Sequence, residues 1–314
     1  MQNVKQKRIL IILVVLVALF AVSEVILRKK WGFGDMVLFQ EDKNFEYIAI
    51  PNQNRLRFGK KSVYNEHSMR SYPLNSQDTC LVLGFGDSVL NGGTIIDQDS
   101  LATTIVDTQL GEGQRFLNIS AGSWGPDNCA EYLKKNGDFK PKMLILFVSS
   151  HDAHDNMTFE KTVGDHVSYP DRQYPLATVE LVVKYVIPRL FGQGQGDNAL
   201  MINKDGEGFN SGFEFFSTYA MEHNIPLVVC LHAETSELEQ NKFNAQGEDI
   251  INFCKENNVR LISGLDIGEH SSQYRDQIHL NEQGQKLWAK VLLQEIKSTV
   301  KDCSSSAKSV SLNN

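Results

Sequence analysis

Three short stretches hold most of the residues capable of chemistry: "GFGDSVLNGG" at 84–93, "VSSHDAHDN" at 148–156 and "YRDQIHLNEQG" at 274–284. In the first, Ser88 follows an apolar run directly and has Gly84, Gly86, Gly92 and Gly93 around it. A serine there sits at the carboxyl end of a buried strand, where the chain turns into a helix. Its Oγ is exposed and nearby backbone N–H groups converge on the same point. The plainer alternative is a glycine-rich turn in which Asp87 or Ser88 caps a helix. A serine hydroxyl becomes a nucleophile when a base takes its proton, and the base needs a partner that fixes its tautomer. Asp276 and His279, just ahead of a final helical stretch, can share one face of a tight turn and supply both roles.

The middle stretch repeats a His-Asp pair, His151-Asp152 and His154-Asp155. These are suitable metal ligands by type, but a centre needs further ligands from elsewhere and no recognised ligand motif accompanies them, so neither a metal nor any other cofactor is expected. His154, Asp155 and Asn156 read as loop residues whose side chains bond their own backbone.

Positioning these groups is the task of a regular pattern in the body of the chain. Compact β-branched and aliphatic runs recur at 81–85, 116–119, 143–148, 226–231 and 260–262, each suited to a strand buried on both faces. Helical spacing marks 100–110, 127–136, 213–223, 237–257 and 281–300, the last through Leu287, Val291 and Ile296. Strands alternating with helices predict βαβ units, an α/β fold of three layers, α/β/α, with a parallel sheet of about five strands. The interval 151–210 is too long for a simple crossover; "TVELVVKYVIPRLF" within it is helical in pattern, and "GQGQGDN" follows. It reads as an insertion leaving the carboxyl end of the third strand, where a wall or lid of a binding site would stand. His232 ends the fourth strand on the same edge, as a pocket or core residue, and Trp124 could form an apolar or sugar-stacking wall.

The chain of 314 residues is 41% hydrophobic and 22% charged, which allows one large domain with a filled core. A formal charge of -7 without a basic block in the body excludes a nucleic-acid binder. The N-terminus, "KQKRILIILVVLVALFAVSEVILRKK", is uninterrupted in its apolar run over 9–22. Extended to Leu27 it spans a bilayer; ended at Val22 it has the length of a signal-peptide core, with "AVS" as a cleavage site. A retained anchor is the expectation, because the Glu24 carboxylate can reach the interface beside Arg28, Lys29 and Lys30. Residues 1–30 are therefore set apart from the fold, with the body outside the cytoplasm, periplasmic or at the cell surface, or secreted if the segment is cleaved. Residues 31–78 read as an irregular lead-in or short hairpin, 79–300 as the domain proper, and the Ser-rich 301–314 as a disordered tail. Cys80, Cys129, Cys230, Cys254 and Cys303 show no C-x-x-C spacing, so neither a zinc ribbon nor a disulfide framework is implied.

The sequence resembles the SGNH, or GDSL-type, hydrolase family. Ser88 in "GDS" matches its first block, and Asp276 with His279 in "DQIH" matches its final D-x-x-H block. "LNISAGSWGPDN" is similar to the second block, whose glycine supplies an oxyanion N–H: Gly125, with Gly122 as the alternative. The third block normally ends a strand with Asn-Asp, the asparagine donating to the oxyanion. Here His151-Asp152 stands instead, and a neutral imidazole donates one N–H, an imidazolium two. Asp152 would favour the charged form.

The resemblance implies a flavodoxin-like sheet order and serine esterase chemistry without a cofactor. Ser88, Asp276 and His279 would be catalytic; Ser88, Gly125 and His151 would hold the oxyanion; Asp87, Gly122, Trp124, Asp152 and His232 would lie near the pocket. It further implies small acyl groups, often acetyl on sugars, so the expected partner is an acylated carbohydrate or other small ester, such as an envelope or exported polysaccharide. An O-acetyltransferase would use the same residues on a glycan hydroxyl, and a non-catalytic binding module would keep the fold and lose turnover. The sequence is silent on protein partners and oligomeric state.

Overall fold

The computed structural model describes residues 2–137, 139–190 and 202–300; all of "GQGQGDN" and the whole of 301–314, on which the loop and tail expectations fall, lie outside the described residues. The chain opens with helix α1 (Gln2–Ile26), whose first two turns carry Lys5, Lys7 and Arg8 and whose apolar run from Ile9 has no buried face. Two antiparallel hairpins follow, β1 (Phe39–Asp42) with β2 (Glu46–Ala49) and β3 (Gln53–Arg57) with β4 (Lys60–Tyr64).

The domain proper runs β5 (Cys80–Gly86), α2 (Ser88–Asn91), α3 (Ala102–Asp107), β6 (Gln114–Ser120), α4 (Pro126–Asn136) and β7 (Met143–Ser149). The insertion carries α5 (Ala177–Leu181), a π-turn (Val182–Val186) and α6 (Ile187–Leu190). Then come α7 (Gly212–His223), β8 (Leu227–His232), α8 (Thr235–Gln240), α9 (Ala245–Glu256), β9 (Arg260–Ser263), α10 (Gly264–Ile267) and α11 (Glu282–Thr299).

Strands β5 to β9 form one parallel sheet in the order β6-β5-β7-β8-β9. Every residue of β5, β7 and β8 is buried, as strands covered on both faces require. The core on one face includes Leu83, Phe85, Leu146 and Phe216, and that on the other Val82, Phe147, Trp288 and Leu292. This is the expected three-layer α/β/α arrangement with flavodoxin-like order. The order reverses beside β5, so its carboxyl end opens onto the crevice of the sheet.

Three expectations need revision. The single helix over 237–257 is two, because Asn241 adopts φ 48° and closes α8, and Asn244 then caps α9 by accepting the N–H of Gly247 at 3.1 Å. Of the two readings of the lead-in, irregular or a short hairpin, the structure has hairpins, two of them, and Phe45, Tyr47 and Ile48 belong to the main core rather than to a separate segment. Cys129, Cys230 and Cys254 are free and buried, but Cys80 is disulfide-bonded, which its spacing did not imply.

Candidate active site

Ser88 occupies the corner between β5 and α2. At Gly86 a Cβ would lie 2.7 Å from the carbonyl oxygen of Phe147 and 3.0 Å from Leu90 Cβ, so the tight turn requires glycine. Asp87 Oδ1 accepts the N–H of Val89 at 2.8 Å and starts the helix. Four residues cannot hold a helix by themselves. The backbone of α2 is held from outside: the Asn118 side chain donates to Leu90 O at 2.9 Å and Gln285 donates to Val89 O at 3.3 Å. Asn91 in turn donates to Ser120 O at 2.9 Å. Strand β6 and helix α11 thus fix the serine.

The loop before α11 brings the base. Ser88 Oγ lies 2.9 Å from His279 Nε2, and His279 Nδ1 lies 2.9 Å and 3.0 Å from the two oxygens of Asp276. Asp276 Oδ1 also accepts the N–H groups of Ile278 at 3.0 Å and His279 at 2.7 Å. Burial opposes ionisation of Asp276, yet these amides and His279 hold its pKa below the ordinary value. Burial and the nearby Arg275 guanidinium lower the pKa of His279, outweighing Asp276. The pair therefore rests as carboxylate and neutral imidazole, with Nε2 free to accept the serine proton.

Beneath this loop lies a second histidine pair. His232 is fully buried; its Nδ1 lies 2.6 Å from Glu269 Oε1 and its Nε2 lies 2.7 Å from the carbonyl oxygen of Ile278, the residue before His279. Glu269 also accepts Trp288 Nε1–H at 2.6 Å and the N–H of Ala233 at 3.0 Å. Burial works against a charge on His232, but Glu269 and the Ile278 carbonyl raise its pKa, so both ring nitrogens can donate. Of the two readings of His232, pocket or core, the structure has the core: it is fully buried and supports the loop that carries Asp276 and His279 from below. Glu269 escaped sequence reading, since nothing in the spacing of "LDIGEHSSQ" marks one acid from another.

On the opposite side of Ser88 the two candidate glycines separate. The N–H of Gly125 donates to Asn128 Oδ1 at 2.8 Å, which closes the start of α4 and uses that donor. Gly122 borders the serine instead: a Cβ on it would sit 3.9 Å from Ser88 Cβ and 2.5 Å from Tyr169 Oη. Tyr47 Oη donates to Gly122 O at 2.8 Å, so the first hairpin supports this loop. Among the described residues the Ser88 and Gly122 amides have no hydrogen-bond partner. Of the two glycines, Gly122 therefore keeps a free amide beside Ser88 and Gly125 does not; the sequence had no means of telling which amide a helix start would occupy.

His151 follows β7 in a single 3-10 turn. Its Nδ1 lies 3.1 Å from Glu234 Oε1, whereas Nε2 stands 3.9 Å from both Asp87 Oδ2 and Asp155 Oδ2 and is free to donate elsewhere. Burial disfavours the imidazolium, but Asp152, Glu234, Asp155 and Asp87 together push its pKa up to about 10. Asp87, His151 and Asp152 bring ligand atoms within 4.8 Å of one another.

Asp152 is buried, with Oδ2 accepting the N–H of Ser149 at 2.7 Å, and does not line the mouth. Trp124 is also buried, its Nε1–H bonded to Tyr47 O at 3.0 Å, so it is a core residue and no sugar platform. The wall beside Ser88 comes from the insertion, through Tyr169, whose ring packs on Tyr47 with centroids 4.7 Å apart. His154 pairs with Asp249 at 3.2 Å, away from the serine's partners.

No family model matches the chain, and no curated protein matches it. Among solved structures it is similar to the psychrotrophic esterase EstA from Pseudoalteromonas sp., at 11% identity and TM-score 0.41 over 70% of this chain and 98% of that one. It is similar to TesA at 12% identity and TM-score 0.42, over 70% and 98%. A carbohydrate acetylesterase family member from Sinorhizobium meliloti aligns at 11% identity and TM-score 0.39, over 70% and 99%.

Proposed function

We propose that the chain is a serine-dependent acyl-ester hydrolase held at the outer face of a membrane. One observation carries the reading: Ser88 Oγ lies 2.9 Å from His279 Nε2 while Asp276 holds His279 Nδ1 at 2.9 Å. His279 takes the hydroxyl proton as Oγ bonds to the acyl carbon. The carbonyl electron pair moves to oxygen, and that oxyanion meets the N–H groups of Ser88, Gly122 and His151 Nε2. The imidazolium then returns the proton to the leaving alkoxide as the ester C–O bond breaks. Water, deprotonated by the same histidine, cleaves the acyl-enzyme.

The apolar α1 supports a retained anchor, and the disulfide at Cys80 supports an oxidising compartment, so the body is assigned outside the cytoplasm. The substrate we assign is a small acyl ester, acetyl on envelope carbohydrate in particular, by family resemblance.

Full-length protein in detergent should hydrolyse a chromogenic acetyl ester and be labelled on Ser88 by an organophosphonate, and Ser88→Ala should do neither. Equal rates for both proteins, with no label on Ser88, sink the proposal. Acetate release that vanishes when an unacetylated glycan acceptor is supplied would replace hydrolysis by transfer.

A further inference from the structure

The helical part of the insertion, residues 177–190, is built the wrong way round for a protein surface exposed to water. Ala177 and Glu180 face inward, and Glu180 forms a buried 2.6 Å ion pair with Arg57. Outward, at helical spacing, stand Val179, Val182, Val183, Val186, Ile187 and Leu190, with Val182 44% and Leu190 73% exposed. A surface helix of a soluble domain shows the reverse pattern. Pro188 lacks an N–H to give, and the π-turn ahead of it lets the helix continue through it as one run.

What covers this face is indicated by its neighbour. Residues Val4–Trp31 form a helix whose most apolar 18-residue window has mean hydropathy 3.1 and no buried residue, and its end is clamped to the insertion rather than tethered. The sequence suggested that Glu24 would reach the lipid interface; instead its carboxylate accepts the N–H groups of Ala177 at 2.6 Å and Thr178 at 3.0 Å and caps the insertion helix. Arg28 donates to Pro175 O at 3.0 Å. Further along, Gly34 N–H donates to Glu180 Oε2 at 2.6 Å and Arg57 donates to Gly32 O at 2.9 Å. At Gly32, φ 70°, a Cβ would meet Leu56 O at 1.9 Å, so the junction leaves no room for a side chain. The expectation that the first thirty residues stand apart from the fold is therefore corrected.

With Arg28, Lys29 and Lys30 among lipid headgroups, Glu24 lies one turn deeper, about 6 Å along the helix. That is the depth at which amphipathic helices rest, with the apolar side about 5–10 Å below the headgroup boundary. Exposed Leu56, Phe58 and Trp31 continue the same apolar rim.

We infer that helix 177–190 lies in the headgroup boundary of the bilayer that α1 enters, and that the clamp at Glu24 and Gly32 fixes the catalytic domain in one orientation on the membrane. The inference rests on the anchor reading above. It also favours retention of the segment, since cleavage after Ser23 would remove the helix to which Glu24 belongs.

The test uses full-length protein in vesicles of phosphatidylethanolamine and phosphatidylglycerol, with a fluorophore on single cysteines at Leu16, Val182, Val186 or Lys255 and quencher-bearing lipids. Unsubstituted protein serves as the labelling blank. Labels at Val182 and Val186 should be quenched at least about twofold more than the α9 label at Lys255, with Leu16 deeper still, as expected for an interfacial helix. Quenching at Leu16 but only background at Val182 and Val186 overturns this inference and leaves the anchor. No quenching at Leu16 overturns both. Labels shielded from lipid in a stable dimer give the face to a second copy and overturn it as well.

Discussion

Two histidine–carboxylate pairs meet in one loop and behave oppositely. His279 and Asp276 lie 2.9 Å apart with side chains 27% and 48% exposed; His232 and Glu269 lie 2.6 Å apart and are sealed from water. The first imidazole has a pKa below the ordinary histidine value, because burial and Arg275 outweigh its acid. The second is raised, because Glu269 and the Ile278 carbonyl outweigh burial. The same two residue types thus make a proton acceptor at the surface of the loop and a fixed double donor underneath it. The lesson is that the partner on the second ring nitrogen sets the role. A serine hydroxyl on Nε2 makes a base, while a backbone carbonyl there makes a brace.

The comparison breaks most sharply at Asp276. Asp276→Asn should lower kcat by about 10⁴-fold, about 5.5 kcal/mol, by releasing the wrong His279 tautomer, with little change in melting temperature. A loss below tenfold would remove the triad reading.

Glu269→Gln should act the other way, on stability before rate, by about 3–5 kcal/mol, since it strands one partner of a buried pair. The sign follows from the two shifts. His232, raised, stabilises the fold fully below pH 6.5 and loses that contribution as pH rises through its folded value. Glu269, lowered, contributes above pH 4.5 and loses it as pH falls further. The cost, read by denaturant unfolding in detergent, should therefore be greatest between pH 4.5 and 6.5 and shrink toward alkaline pH. A cost independent of pH would make the pair neutral packing. As a positioning residue, His232 should also shift the acid limb of kcat/KM when Glu269 is replaced, because Ile278 and His279 move with it.

The third histidine sharpens the contrast. The kcat/KM profile of the wild type should rise through a pKa below 6.5 as His279 deprotonates and fall near pH 10 as His151 loses its proton. His151→Ala should cost about 10²–10³-fold, the usual loss for one oxyanion donor. His151→Asn should retain most of the rate and lose the fall near pH 10; indifference to both substitutions removes His151 from the oxyanion site.

Much of this was legible along the chain because the signals are local. Compact apolar runs locate β5 to β9 within a residue or two, since burial of β5, β7 and β8 on both faces favours continuous apolar composition. Ser88 stands out because it follows the end of β5, and Asp276 and His279 because they share a turn just ahead of α11; Oγ and Nε2 meet at 2.9 Å. The hairpins at 39–64 were less clear, because polarity does not follow burial there: Gln53 and Arg57 of β3 are buried while Leu56 is exposed, and all four residues of β2, Glu46 included, are buried.

The sequence by itself determined which strands exist, that they are parallel, that Ser88 follows β5 and that Asp276 and His279 share a turn ahead of the last helix, because hydrophobic period and turn chemistry act over a few residues. Only the tertiary structure decided that Gly122 rather than Gly125 keeps a free amide, that Trp124 and His232 face the core, and that Glu24 caps a helix 153 residues away. Those outcomes depend on which group reaches a donor first across the fold, and no spacing along the chain encodes that distance.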